Sequence, residues 1–120
     1  MLIHSYKDLI VWQKSIDFVE SVYKLVKLLP KEETYALSDQ IRRASVSIPS
    51  NIAEGFGRNS TKEYIHFLYI SLGSASEVET QIIIGNRIGY FRDIDIYISK
   101  INEIKKMLNA LISSLKRKLN

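Results

Sequence analysis

Gln40, Arg43, Ser47, Asn51 and Glu54 follow one another at spacings of three, four, four and three residues, so a continuous helix stacks all five on one flank. A solvated helix face usually carries lysine and glutamate. Amides, a hydroxyl and one charge of each sign suit a partly buried network, because each group both demands and satisfies a hydrogen bond. The chemistry this line offers is therefore structural: it is expected to hold the second helix against the third. Glu77 and Glu79 are expected to pair with Arg42 or Arg43, which brings Glu77 into the same polar set. Glu54 with Glu77 could also make the carboxylate pair of an acid–base catalyst, but the neighbouring arginines favour ion pairs instead.

Other reactive arrangements are thin. His4 and His66 stand on different elements, while a metal site needs three or four ligands. A di-iron bundle needs two helices that each carry Glu-x-x-His, a pair this chain does not have. With no cysteine, neither disulfides nor thiol chemistry arise. Ser45 and Ser47 have no histidine nearby in sequence to make a nucleophile of either. Gly55-Phe56-Gly57-Arg58 looks like a phosphate loop only superficially, since no Walker lysine follows and no strand precedes it. It reads better as a helix stop built on residues tolerant of positive φ. No catalytic residue, metal or cofactor is expected, and the chain is not expected to be an enzyme.

The cations remain. The net charge is +4, and residues 91–120 supply all of it, with seven basic and three acidic side chains. Such asymmetry points to a polyanion, although cations at the end of a helix also complement its dipole. The expected phosphate-binding set is Arg42, Arg58, Arg87, Lys105, Lys106, Lys116, Arg117 and Lys118. Most aromatic residues, including Trp12, Tyr23, Tyr64 and Tyr97, fall on apolar seams, so no base-stacking platform is expected and sequence preference should be weak.

Four helices must position these groups. The first is expected to begin at a cap on Asp8 and to end at Leu29-Pro30. It carries two apolar seams: Leu9, Trp12, Ile16, Val19, Tyr23, Val26, and one residue round, Val11, Phe18, Val22, Leu25, Leu29. That is more apolar face than one bundle core needs, which points to an oligomer interface. In the second helix Leu37, Ile41, Ala44, Ile48 and Ile52 form the stripe, and Pro49 should kink or break it. Ser60 and Glu63 resemble a capping box for the third, whose middle, Ser71 to Ser76, is almost entirely small. The fourth is expected to start at a cap on Asp93 and to run through Tyr97, Ile101, Ile104, Leu108, Leu111 and Leu115. The fold expected is a single all-α domain over 1–120, an antiparallel up-down-up-down four-helix bundle. No stretch is long and apolar enough for a membrane span, and a cytoplasmic protein is expected.

The polar line also carries a family resemblance. Gln40-Ile41-Arg42-Arg43-Ala44, Ser47-Ile48-Pro49 and Asn51-Ile52-Ala53-Glu54-Gly55 resemble the signature of the four-helix-bundle proteins encoded in 23S rRNA intervening sequences. The accessory variability protein of diversity-generating retroelements is similar. The resemblance extends from Asp8-Leu9 and Trp12-Gln13 through Leu29-Pro30 to Gly89-Tyr90. It implies a homopentamer with a basic surface for nucleic acid, structured RNA first. A partner protein such as a reverse transcriptase is the alternative.

Overall fold

Each apolar stripe becomes a helix with its stripe turned inward. In the computed structural model, which describes residues 3–119, these are α1 (Ile10–Val26), α2 (Leu37–Phe56), α3 (Thr61–Arg87) and α4 (Asp95–Leu119). Met1 and Leu2 of the lead-in, and Asn120, lie outside the described residues. Single 3-10 turns at Tyr6–Asp8 and Lys31–Glu33 precede α1 and α2, and among the described residues there is no strand. α1 packs on α2 and α4, and α3 packs on α2 and α4, which closes a ring of four in a body of 48 × 23 × 22 Å.

The core is made by Val11, Phe18, Val22 and Leu25 of α1 with Ile41, Ile48 and Ile52 of α2. Leu68, Ala75, Val78 and Ile82 of α3 and Ile101, Ile104 and Leu108 of α4 complete it. Each large side chain fully buried here contributes about 1.5–3 kcal/mol. The second of the two α1 seams is thus the core seam. The first, Trp12–Ile16–Val19–Tyr23, is left half-exposed beside α2.

The helices differ from the sequence reading in several places, and α1 ends at Val26, three residues before the expected Leu29-Pro30. Asp8 does not cap α1: it sits in the 3-10 turn, whose own cap is Ser5, and Leu9 takes the N-cap position without a side-chain bond. Gln13 Nε2 instead donates to the Lys7 carbonyl at 2.8 Å and fastens the turn to the helix. Asp93 takes a left-handed conformation (φ 50) two residues before α4 begins. α2 runs unbroken through Pro49, so the proline does not break it. Pro49 is buried between flanking turns, and tertiary packing carries the helix past the missing amide.

Phe91, which belongs to no helix, is as buried as the core seams. Gly85 accepts from the amides of Tyr90 (2.8 Å) and Phe91 (3.2 Å), and Gly89 turns the chain with φ +91. The turn lays the Phe91 ring on Gly85, where any Cβ would stand 2.5 Å from it. At the same end Glu33 accepts from the Leu37 amide (3.3 Å) and the Tyr90 hydroxyl (2.9 Å). That hydrogen bond, followed by burial, raises the Tyr90 pKa above its ordinary value.

Candidate nucleic-acid interface

The polar line of α2 meets the small residues of α3, but only through its middle. Ser47 Oγ lies 2.8 Å from Ser74 Oγ, and Asn51 Nδ2 donates to both the Ser47 carbonyl (2.8 Å) and its Oγ (2.9 Å). Ser71, fully buried, donates to the Ile48 carbonyl at 2.6 Å. Hydroxyls short enough to reach across let the two backbones approach closely. Further along, Gly55 presses on Tyr64 and Phe67, so the paired residues run in opposite chain order. Burial at that crossing pushes the Tyr64 hydroxyl up to about 12.

Gln40, Arg43, Glu54 and Glu77 do not join this seam. Arg43 bonds Asp39 of its own helix at 3.1 Å, and its side chain is 81% exposed. Arg42 approaches the same carboxylate at 3.9 Å. Glu54 pairs with Arg58 at 3.3 Å, and Gln40 and Glu77 face solvent. Glu79, expected to meet an α2 arginine, bonds Lys105 of α4 at 2.7 Å instead. At about 100° per residue, Arg43 and Glu54 lie roughly 20–40° to one side of Ser47, away from Asn51. That rotation puts them on the outside. Arg43→Ala should therefore shift stability by less than about 0.5 kcal/mol in denaturant melts, as ordinary surface substitutions do. A drop of more than about 1 kcal/mol would place it in a buried network after all.

The cations fall into separate places. Arg87 ends α3, about 27 Å along the helix from Tyr69. Arg42 borders a hollow with Tyr23, Asp39 and Val46 on the α1–α2 side. Lys105 is three-quarters buried with Glu79, and Lys106 lies on the outer face of α4 near Glu103. Four fall at the same end of the bundle, where α2 and α4 end and α3 begins, Arg58 on the α2 side of α3 and the others on α4. Arg58 stands 4.8 Å over the Phe67 ring, and two residues on, Lys116 Nζ donates to the Tyr69 hydroxyl at 2.6 Å. Arg117 and Lys118 follow, exposed. Lys62, in the first turn of α3, adds a fifth cation that the sequence reading does not include. His66 and Tyr69, one and two helical turns on, are exposed aromatic neighbours that it assigns to no site. Their signal is the aromatic content of an α3 face too apolar for one core.

The described residues hold no cluster of three or more metal-ligating side chains, and no helix among them is long and apolar enough to cross a membrane. Two adjoining depressions run along α1 and α2. The first, about 280 Å³, is lined by Trp12, Ile16, Val19, Val46, Pro49 and Ala53, with Tyr6 edge-on to Trp12 at 5.3 Å. The second continues past Tyr23 to Lys27.

Comparison with known proteins places this geometry. The model of a family described as 23S rRNA-intervening sequence protein matches residues 7–110. Among solved structures, a protein with unknown function from the S23 ribosomal protein family of Bacteroides thetaiotaomicron VPI-5482 is similar at 30% identity. The TM-score is 0.79, over 86% of this chain and 98% of that one. No curated protein matches.

Proposed function

The chain belongs to the 23S rRNA-intervening sequence protein family, and from that premise we propose that it is a non-enzymatic, homo-oligomeric protein that binds nucleic acid. The observation that carries this reading is that Arg58, Lys62, Lys116, Arg117 and Lys118 all fall at the end of the bundle where α2 and α4 finish and α3 starts, with Glu54 and Glu63 as the carboxylates of those same turns. A cyclic assembly repeats that end around a ring, and multivalent phosphate contact then exceeds what one helix terminus supplies. The family's name ties it to an intervening sequence of 23S rRNA, which makes structured RNA the first ligand and the cytoplasm the place of action. No cofactor and no membrane enter this reading.

Binding of a structured rRNA fragment, titrated at several salt concentrations, tests it. Each phosphate that the protein no longer neutralises should flatten the slope of log K against log salt by roughly 0.7–0.9. The Lys116/Arg117/Lys118→Gln variant should therefore bind more weakly with a shallower slope, while Arg87→Gln at the far end changes neither. Absence of binding at low salt, or an unchanged slope in the triple variant, overturns the assignment of this end. A protein-interaction scaffold is the second reading. The half-exposed α1–α2 depression favours it, because an apolar surface of that kind fits a protein partner.

A further inference from the structure

We infer that the outer face of α3 at this end holds an unpaired nucleotide of RNA, its base stacked on Tyr69 and its flanking phosphates on Lys62 and Lys116. The inference rests on the nucleic-acid reading and narrows it from phosphate contact to a base subsite. Lys62, His66 and Tyr69 stand on one line of α3 at spacings of four and three, about 10 Å from first to last. At roughly 3.4 Å per stacked nucleotide that span accommodates about three. Lys116 closes the line from α4.

Three observations single out Tyr69. The residue is 43% exposed although it is a large aromatic side chain two turns inside a long helix. Lys116 Nζ is 2.6 Å from the hydroxyl oxygen but 5.1 Å from the ring centre, so it lies off the hydroxyl end rather than squarely over a ring face. The third observation is Gly73. Side chains on a helix lean back over the residue four positions earlier, so a side chain at 73 would cover the Tyr69 ring. Glycine is a poor helix former in the middle of a long helix. Gly55 and Gly85 are each required by a close neighbour, whereas nothing lies within 4 Å of where a Cβ on Gly73 would stand. Packing within the subunit therefore does not call for this glycine, and its consequence is an uncovered aromatic shelf.

Charge and shape then select the occupant. A planar group fits the shelf, and cations flank it on both sides, which is the pattern of aromatic stacking within an electrostatic track. A paired base keeps its faces inside the helical stack, so only a looped, bulged or terminal base can use the shelf. The His66 ring, edge-on to Phe67 at 5.5 Å, offers a neighbouring surface one turn away. The expectation of no stacking platform, drawn from aromatic residues on core seams, does not extend to His66 and Tyr69.

The test compares an RNA stem closed by an unpaired loop with the same stem as a blunt duplex, with 2-aminopurine placed in the loop. The full-length protein should prefer the looped RNA and change the 2-aminopurine fluorescence on binding. Tyr69→Leu should weaken looped RNA by roughly 5- to 150-fold and leave duplex binding unchanged, while Tyr69→Phe retains most of the affinity. Gly73→Leu, which removes no contact of the fold, should act like Tyr69→Leu by covering the ring. Equal affinity for the two RNAs, or wild-type binding of looped RNA by both leucine variants, overturns the subsite but leaves the phosphate interface standing. No salt-sensitive binding of either RNA overturns both.

Discussion

Gly55→Ala should lower the free energy of unfolding by on the order of 2–3 kcal/mol, at the upper end for overpacking a tight site. A Cβ at Gly55 would stand 2.8 Å from the Phe67 Cβ and 3.1 Å from both the Tyr64 carbonyl oxygen and its ring. Two of those neighbours are fixed to the α3 backbone and cannot rotate aside, so α2 and α3 must part. Ser47, Ser71 and Ser74, which bond across the same pair of helices, would loosen with them. Gly85→Ala should also destabilise, by about 1–3 kcal/mol, because the Phe91 ring it meets at 2.5 Å is 1% exposed and has nowhere to go. Gly73→Ala should do the opposite and stabilise by about 0.5–1 kcal/mol, since only helix propensity changes there. Denaturant midpoints at one protein concentration, with unchanged m values, separate the three. If all three alanines stabilise, propensity rather than the helix crossing governs these glycines.

The contrast among these glycines shows where the sequence is readable. Four helices follow from apolar spacing alone, because a residue's face is set by its number along a helix. The buried residues of α4 lie on the expected seam, apart from Ile112 in place of Leu111. Gly55-Phe56-Gly57 reads as a helix stop, and α2 does end there, at Phe56 with Gly57 as its C-cap. What the spacing does not show is the means: Gly57 keeps φ −78 rather than a left-handed conformation, and Gly55, inside α2, is where Tyr64 and Phe67 of α3 come close. Phe91 gives no periodic signal because it enters the core from a link.

The candidate site divides in the same way. Lys116, Arg117 and Lys118 stand out in the sequence as an uninterrupted run. Their place at the same end as Arg58 and Lys62 depends on which helices finish there, a property of topology rather than of spacing. Arg42, Arg87, Lys105 and Lys106 are equally cationic in the sequence, yet Lys105 is tied to Glu79 and the others lie elsewhere. Composition names the cations; only the fold sorts them.

The apolar surplus of α1 leads to the second large effect, which is on mass. Wild-type protein at micromolar concentration should scatter light as a closed oligomer, with five times the 13.8 kDa mass of the chain for a pentamer. The depression along α1 and α2 is the surface expected to be covered, since Tyr23 is 45% and Val46 39% exposed there beside half-buried Trp12, Ile16 and Val19. In a lone subunit Tyr23→Glu and Val46→Glu are surface changes worth within about 0.5 kcal/mol each. Across a subunit interface each would bury a carboxylate, and Arg42 and Arg43 of the same hollow, already beside Asp39, offset only part of a desolvation cost of several kcal/mol per ion. In a ring that cost recurs at every subunit boundary. The double variant should then be a folded monomer, with the helical content of the wild type, and should lose the affinity for RNA that depends on many subunits binding together. A monomeric wild type would remove the oligomer from the proposed function. An oligomeric double variant would move the interface to another apolar face, where the exposed Ile83, Ile84 and Ile88 near the end of α3 are the next surface to charge.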